Sequence, residues 1–345
     1  MYQSPPVLDP NTVLAEIAEA EAPDAYLRSL HPKHDQFVRL RAALLKTRNA
    51  PEIEGKDKEH ELKRILINME RWRWMPEDLG SVHVLSNAPA FMLYVVRDGK
   101  IIHADKTQIG AINYATPVIS DTMTAVVFNP EWIAPPTVLR EDLLPALRNK
   151  RYSKLKTLGF TVSYGGKRVN PEKVDWNRAN IRAYTFIQRP GPKSRIGKAK
   201  FLLTNEHAFI LHDTWPERRQ DYQQPMRAIG YDCVRMEKPD LLAKVILVEA
   251  NKMPAIEVEY LWNDGVNVRV ALERTIPVHS AYFTLVVDES DKVSTHPDVY
   301  GLDHKLARAM FGDATGFPMP VTKHKRRRSV PKHLPIPSSD FLGAR

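Results

Sequence analysis

Apolar residues in the first quarter of the chain recur with a helical period. Two sets keep the spacing of one helix face: Val13, Leu14 and Ile17, and later Phe37, Val38, Leu40, Leu44 and Leu45. Asp9-Pro10 matches a capping residue followed by a first-turn proline. A polar stretch, Asn49 to His60, precedes a further amphipathic segment, Glu61 to Trp72. The pattern therefore predicts a helical N-terminal scaffold over residues 1–78.

From Val82 onward the pattern changes to short apolar runs that are typical of strands. Turn sequences such as Arg97-Asp98-Gly99-Lys100 separate them, which favours hairpins and a mostly antiparallel β domain. Between about 133 and 182 helix-like and loop sequence replaces the strands, which indicates an insertion within that domain. The predicted strands are Val82–Leu85, Phe91–Val96, Ile101–Ile102, Ala125–Phe128, Tyr184–Ile187, Lys200–Leu203 and Ala208–Leu211.

The C-terminal part adds one predicted helix, Pro239–Val248, and two predicted strands, Val268–Leu272 and Ala281–Val287. Prolines and a basic run then mark residues 312–345 as a low-order tail. The predicted fold class is therefore α+β. It comprises the scaffold at 1–78, a β-rich domain at 79–311 with its insertion, and the tail at 312–345.

Composition and charge narrow the class of protein. The 345 residues are 43% hydrophobic and 26% charged, as in ordinary globular proteins. Of the formal net charge of +9, +5 lies in residues 312–345, so the rest of the chain is nearly balanced. We therefore expect the tail to contact anionic polymers or lipid nonspecifically, and we expect no specific nucleic-acid partner.

Two further expectations concern membranes and export. The apolar runs, such as Phe91 to Val96, are much shorter than the ~20 residues that span a bilayer, so no transmembrane segment is expected. Residues 1–6 show no basic segment followed by an apolar core, so no signal peptide is visible.

The single cysteine, Cys233, excludes internal disulfides and is the one candidate for thiol chemistry. A lone cysteine is most often a small buried apolar residue, and that reading stays open. A nucleophilic role requires a histidine to take the thiol proton. His212 is the best candidate, because it ends an apolar run 21 residues before Cys233 and adjacent strand ends would bring the two together.

The chain resembles the long subfamily of bacterial L,D-transpeptidases, the cysteine enzymes that cross-link peptidoglycan. Several motifs over about residues 62–306 carry the resemblance in the family's order. They are Asn68 to Pro76, Pro89-Ala90-Phe91, Ile109-Gly110, Thr116-Pro117, Phe128 to Trp132, Val174-Asp175-Trp176, Gln188 to Pro192, Gly197 with Lys200-Phe201, Leu211 to Thr214, Ile276-Pro277-Val278 and Asp298 to Gly301.

The active-site signature departs from the family's pattern. In the family an upstream histidine, the catalytic base, is followed by Ser-His-Gly-Cys and an aliphatic-Arg pair. Here His212 is followed by Gly230-Tyr231-Asp232-Cys233-Val234-Arg235. The nucleophile, base and arginine are retained, while Gly230, Tyr231 and Asp232 occupy the serine, histidine and glycine positions. If the segment is extended, Tyr231 and Arg235 share a face with Cys233 and Asp232 points away.

The resemblance implies roles for the remaining candidates. Gly230, Tyr231 and Asp232 are expected to supply oxyanion donors or to orient substrate, and Arg235 to bind a stem carboxylate or form a structural salt bridge. The insertion corresponds to a subdomain that caps the cleft. Its aromatic residues are therefore candidates for lining the donor path, with core packing as the alternative: Trp132, Tyr152 and Trp176. No metal and no organic cofactor is implied.

The expected activity is acyl transfer from a tetrapeptide stem through a Cys233 thioester to an amine, at peptidoglycan in the periplasm or cell wall. Envelope proteins are alternative acceptors. The altered signature leaves two other hypotheses open. One is a homologue with hydrolytic or exchange activity, and the other is a noncatalytic peptidoglycan-binding relative.

Overall fold

The computed structural model describes residues 7–52, 57–205, 209–312 and 316–318. The N-terminal part is helical, with α1 (Pro10–Glu19), α2 (Pro23–Ser29), α3 (Asp35–Asn49) and α4 (Lys58–Arg73). Asp9 caps α1 by accepting the backbone N–H of Thr12 at 2.9 Å, and Pro10 fills the first turn. The prediction of an N-terminal helical region is confirmed.

The strands that follow form a closed main sheet and two smaller sheets. In the main sheet the order is β11-β3-β12-β10-β9-β4-β13-β1-β2, and β2 pairs back onto β3, which closes a barrel-like structure. Most pairs are antiparallel, as predicted, while β1–β13, β10–β12 and β3–β11 are parallel. The strands are β1 (Val82–Asn87), β2 (Met92–Arg97), β3 (Lys100–Gly110), β4 (Ile119–Phe128), β5 (Trp132–Ile133), β6 (Phe160–Tyr164), β7 (Lys167–Arg168), β8 (Tyr184–Gln188), β9 (Ala199–Leu203), β10 (Leu211–His212), β11 (Ala228–Gly230), β12 (Val234–Met236), β13 (Val268–Ala281), β14 (Leu285–Val287) and β15 (Val293–Thr295).

The insertion has its own sheet and its own apolar core. Its sheet has the order β5-β8-β6-β7, and its helical segments are α5 (Pro136–Val138), a π-helical turn (Leu139–Leu143), α6 (Leu144–Arg148) and α7 (Ser153–Leu158). The strand predicted at Tyr184–Ile187 was assigned to the β domain, and that assignment is wrong, because β8 pairs with β5 and β6 of the insertion. The division of the chain into domains stays a prediction.

The region after Cys233 also differs in part from expectation. The predicted helix is α8 (Pro239–Asn251), which packs Leu242, Ile246 and Leu247 into the core of the main sheet. A second helix, α9 (Ala255–Asn263), was missed. The strand predicted at 268–272 is the first part of the long β13, whose register is irregular between Ala271 and Ile276. Of the strand predicted at 281–287, the last three residues form the short β14. Ala208 and most of the predicted tail lie outside the described residues.

A buried polar cluster joins α4 to the C-terminal helix α10 (Leu302–Phe311). Arg71 donates to Asp303 at 2.6 Å, and the two side chains are 3% and 1% exposed. Asn68 accepts the backbone N–H of Thr284 at 2.9 Å, and the Thr284 hydroxyl donates to Asp303 at 3.0 Å. Beside this cluster, Trp72 stacks on Phe283 with 4.5 Å between ring centroids. These contacts fix the helical scaffold to the barrel.

Across the described residues, no helix combines the length and the apolar character that a bilayer-crossing segment needs.

We expect Arg71→Leu to lower the free energy of unfolding by about 3–5 kcal/mol, because it removes the nearer cation of the buried Asp303 carboxylate and leaves Arg64 at 4.0 Å. Urea denaturation followed by circular dichroism measures the change. The matched control is Arg73→Leu, since Arg73 pairs with Glu70 at 2.8 Å but is 54% exposed. Its loss should cost less than about 1 kcal/mol. Equal losses for the two variants would contradict a structural role for the Arg71–Asp303 pair.

Candidate active site

His212 and Cys233 lie on neighbouring elements of the main sheet. His212 ends β10, Cys233 immediately precedes β12, and the two strands run parallel with Leu211 opposite Val234 and His212 opposite Arg235. Cys233 is thus two residues before Arg235, the residue opposite His212, but its own backbone lies in the bend at 231–233, outside the ladder. The fold therefore brings the predicted nucleophile and base to neighbouring positions of the main sheet.

The His212 ring is buried and its tautomer is set by the backbone. Its side chain is 6% exposed, and Nδ1 lies within hydrogen-bond distance of the Asp213 carbonyl oxygen. Because a carbonyl oxygen only accepts, Nδ1 carries the proton and Nε2 is left as the proton acceptor. Burial and then the Arg235 charge lower the pKa of His212 to about 3, against the opposing carbonyls of Asp213 and Ile196. The resting imidazole is neutral.

The Cys233 thiol is also neutral in the resting protein. The residue is partly accessible, but burial of the thiol raises its pKa above the ordinary value of 9.0. A backbone hydrogen bond with Ile210 and the Arg235 charge lower it, while the Asp232 carboxylate raises it. Because both groups are neutral at rest, the thiol must lose its proton during nucleophilic attack. The resting residues are therefore not a preformed thiolate–imidazolium ion pair.

The Asp213 carboxylate fixes the position of Asp213, whose backbone carbonyl binds the His212 ring. The sequence analysis missed this role. Its oxygens accept the backbone N–H of Lys198 at 2.8 Å and the Arg219 guanidinium at 3.0 Å. Gly197 has a φ of +67°, and a Cβ there would lie 2.4 Å from the Asp213 carboxyl carbon. Only glycine fits this turn without displacing the carboxylate. Asp213 and Gly197 both stand in motifs of the family resemblance, which is the signal that marked them.

Residues 231–233 form a bend between β11 and β12, so the extended backbone that would put Tyr231 on the same face as Cys233 is not present there. Tyr231 packs its ring edge-on against Tyr114 at 4.9 Å and contacts the apolar core of the insertion. Asp232 is half-buried and is close enough to raise the pKa of the thiol. Gly230 has a clear spatial role, because a Cβ there would lie 3.0 Å from Nη1 of Arg235. The glycine thus makes room for the guanidinium.

Arg235 lies in a basic aromatic cluster that the sequence analysis did not predict. Its guanidinium carbon is 5.7 Å from the ring centroid of Trp215. Arg195 and Arg218 approach the same ring at 5.9 and 5.8 Å. Trp215 and Arg218 lie just after the Leu211 to Thr214 motif, so their position in the sequence could have indicated that they lie near His212. Arg195 is brought in only by the fold, from the loop between the insertion and β9.

The three predicted aromatic residues of the insertion are placed differently. Trp132 contacts Arg195, with 5.9 Å between guanidinium and ring, and so borders the basic cluster. Tyr152 lines a cavity formed by insertion residues, away from Cys233. Trp176 is 2% exposed, and its indole N–H donates to the Pro171 carbonyl at 2.8 Å. Of the two roles expected for Trp176, the structure shows core packing and not lining of a donor path, because its ring is enclosed in the core of the insertion.

Metal coordination has no candidate in the described part of the chain. No group of three or more His, Cys, Asp or Glu side chains is arranged there to hold an ion.

Comparison with known proteins assigns the family. Residues 81–256, about half of the chain, match the YkuD-type L,D-transpeptidase catalytic domain. This stretch contains His212, Cys233 and the insertion. The chain therefore belongs to the L,D-transpeptidase family, and the predicted family and fold class are confirmed.

A Haemophilus influenzae protein, provisionally named an L,D-transpeptidase, is 27% identical over 252 residues, which are 71% of this chain and 49% of that protein. The chain thus spans about half the length of this curated relative. Two solved structures are also similar, each over 58% of this chain. They are an L,D-transpeptidase from Mycobacterium smegmatis (12% identity, TM-score 0.27, 59% of that chain) and L,D-transpeptidase 3 from Mycobacterium tuberculosis with a faropenem-derived adduct (9% identity, TM-score 0.27, 60% of that chain).

We expect the rate of Cys233 alkylation by iodoacetamide to rise about tenfold per pH unit from pH 7 to pH 9, because only the thiolate reacts and the thiol pKa is raised. Since Cys233 is the single cysteine, intact mass reports its modification alone. Arg235→Gln should slow the reaction at pH 8 by removing the charge that favours the thiolate. A rate that is already constant from pH 7 upward would contradict the neutral pair.

Proposed function

We propose that this protein is a peptidoglycan L,D-transpeptidase in which Cys233 is the nucleophile and His212 the general base. One observation carries the proposal. The Asp213 carbonyl binds Nδ1 of His212, which leaves Nε2 as the basic nitrogen, and Cys233 directly precedes the strand that pairs with the strand of His212. Family membership supplies the class of reaction, and the tetrapeptide stem of peptidoglycan is the proposed donor.

Acylation follows from this arrangement. The sulfur of Cys233 attacks the carbonyl of the third stem residue, diaminopimelate, as its proton passes to Nε2 of His212. A C–S bond forms, and the carbonyl electrons move onto oxygen. When the tetrahedral intermediate collapses, the C–N bond to the terminal D-alanine breaks and the imidazolium proton passes to the departing amine. The product is a thioester on Cys233, with His212 again neutral.

The negative charge on the carbonyl oxygen requires donors. Backbone N–H groups of the bend at 231–233 are the proposed oxyanion donors, each worth about 3 kcal/mol in comparable acyl-transfer sites. The bend supports this role, since it turns the backbone out of the strand ladder beside the sulfur. Tyr231 and Asp232 contribute through their backbone in this proposal, and Gly230 through the space that it leaves for Arg235.

Deacylation needs an acceptor amine, which forms a C–N bond to the acyl carbon as His212 takes its proton. The C–S bond then breaks, and the proton passes from His212 to the sulfur of Cys233. The proposed acceptor is the side-chain amine of a second diaminopimelate, which gives a 3-3 cross-link, or an amine on an envelope protein. The proposed location is the periplasm or cell wall, where these partners are found.

The alternative is a noncatalytic relative that binds stem peptides. The raised pKa of Cys233 and the Asp232 carboxylate beside it favour this second candidate, because both oppose formation of the thiolate. The two candidates differ in whether a covalent acyl-enzyme forms.

Incubation with purified tetrapeptide muropeptides separates the candidates. We expect cross-linked dimers, detected by liquid chromatography and mass spectrometry, and a transient adduct on Cys233. Cys233→Ala should abolish the products, and His212→Ala should slow their formation by about 10²–10⁴-fold, the usual contribution of a general base. His31→Ala is the control, because His31 is an exposed histidine in the helical scaffold.

Each other outcome has a defined meaning. Tripeptides alone would indicate hydrolysis, and incorporation of free D-amino acids would indicate exchange. Peptide binding without any adduct would support the noncatalytic candidate. Products that persist in Cys233→Ala would overturn the proposed nucleophile.

A further inference from the structure

The structure brings together three sequence motifs that lie far from Cys233 in the chain: Ile109-Gly110, Thr116-Pro117 and Asp298 to Gly301. Tyr300, in the third motif, is 6% exposed, and its hydroxyl lies between the other two. The hydroxyl donates to the Gly110 carbonyl at 2.7 Å and accepts the backbone N–H of Thr116 at 3.3 Å. One side chain thus joins both ends of the loop formed by residues 110–116, which we call the 110–116 loop.

The 110–116 loop is tightly folded. The Gly110 N–H donates to the Thr116 hydroxyl at 2.9 Å, and the Tyr114 N–H donates to the Ala111 carbonyl at 2.7 Å. A Cβ at Gly110 would lie 1.8 Å from the Tyr114 carbonyl oxygen, so only glycine allows the loop to close in this way. The loop therefore moves as a unit, and the Tyr300 hydroxyl supplies two of the contacts that fix its ends.

The same loop contacts the bend that carries Cys233. The Ala111 N–H donates to the Gly230 carbonyl at 2.9 Å, and the Tyr114 ring packs edge-on against Tyr231 with 4.9 Å between ring centroids. Gly230 ends β11, and Tyr231 is the first residue of the bend. The direction of the backbone N–H groups at 231–233 therefore depends on where the loop lies.

Tyr300 is itself fixed from its other side. Its backbone N–H donates to the Tyr282 hydroxyl at 2.7 Å, and that hydroxyl donates to Asp298 at 2.7 Å. The rings of Tyr282 and Tyr300 stack with 5.6 Å between centroids. Burial raises the pKa of Tyr300 to about 12, and the Asp232 charge adds to the shift. The phenol therefore keeps its proton at neutral pH and remains a donor to Gly110.

We propose that Tyr300 is a positioning residue for acyl transfer, which acts through the 110–116 loop to aim the backbone N–H groups of the bend at the carbonyl oxygen of the acyl donor. The proposal rests on the proposed function, because it assumes that these N–H groups stabilise the oxyanion. Such donors act only when they point at the position that the oxygen takes in the transition state. A small displacement of the bend is therefore enough to slow the reaction.

Two reagents separate the aim of the bend from the reactivity of the thiol. With p-nitrophenyl acetate, the sulfur of Cys233 bonds to the acetyl carbon, the thiol proton passes through His212 to solvent, and the C–O bond breaks to release nitrophenolate. The acetyl oxygen becomes negative on the way and needs the backbone donors. Iodoacetamide alkylates the same sulfur by displacing iodide, without an oxyanion, so its rate follows the thiolate. The ratio of the acetylation rate to the alkylation rate therefore isolates the oxyanion donors.

We expect Tyr300→Phe to lower the acetylation rate by about tenfold or more, since removal of a whole oxyanion donor costs about 10²–10³-fold and a displaced donor costs less. Alkylation should change by less than about threefold. Absorbance of nitrophenolate, corrected with Cys233→Ala, gives the first rate, and intact mass gives the second.

Ala111→Pro tests the same link at the other side of the loop and does not depend on the folding of Tyr300→Phe. The φ of Ala111 is −66°, which suits proline, but the substitution removes the N–H that binds Gly230. We expect it to lower the same ratio.

Thr284→Val is the matched control. It removes another fully buried hydroxyl, which donates to Asp303 at 3.0 Å and accepts from Asn68 at 3.0 Å, in the polar cluster between α4 and α10. Urea denaturation should show a loss of stability for both Thr284→Val and Tyr300→Phe, because each leaves buried polar groups without a partner. Only Tyr300→Phe should lower the ratio of acetylation to alkylation.

The outcomes separate this proposal from the proposed function. An unchanged ratio in either folded variant, or an equal fall in Thr284→Val, would overturn the positioning role. Native protein that releases nitrophenolate no faster than Cys233→Ala would overturn it as well. The expected fall in a protein that forms no product from muropeptides would retain the positioning role and reject the peptidoglycan reaction. Cross-linking of muropeptides that Tyr300→Phe leaves unchanged would do the reverse.

Discussion

The hydrogen bond between Nδ1 of His212 and the Asp213 carbonyl is the contact on which the proposed chemistry depends. It decides which ring nitrogen is basic, and the parallel pairing of β10 with β12 sets His212 opposite Arg235, two residues beyond Cys233. The same residue secures its own position, because the Asp213 carboxylate binds the Lys198 N–H and Arg219. The position of the His212 ring is thus set by the Asp213 carbonyl, and the position of Asp213 is set by the contacts of its own buried carboxylate.

Burial shifts the pKa values of the two proposed catalytic residues in opposite directions. It raises the pKa of Cys233 and lowers that of His212, so both groups rest uncharged. The Arg235 charge lowers the pKa of both groups. It therefore favours the thiolate of Cys233 and opposes the imidazolium of His212.

Outside the candidate site, apolar packing and buried polar contacts attach the helical scaffold to the barrel. Arg71 and Asn68 lie in the Asn68–Pro76 motif, and the structure explains both by their contacts with Asp303 and Thr284. Trp72, in the same motif, stacks on Phe283. These residues lie far along the chain from Cys233. Their role is to attach the helical region to the barrel, and substrate contact is not needed to account for them.

The sequence alone determined the helical N-terminal region, the α+β class and the family, while the pairing of Cys233 with His212 stays a prediction. Helical spacing, strand-length runs and motifs are local properties, so they can be read in chain order. Only the tertiary structure decided that β8 belongs to the insertion, that Trp176 is enclosed, that residues 231–233 bend, and that Arg195 joins Trp215 and Arg235. Each of these depends on which distant segments pair or pack together. Local patterns do not encode such pairing, because its free energy comes from contacts between residues far apart in the chain.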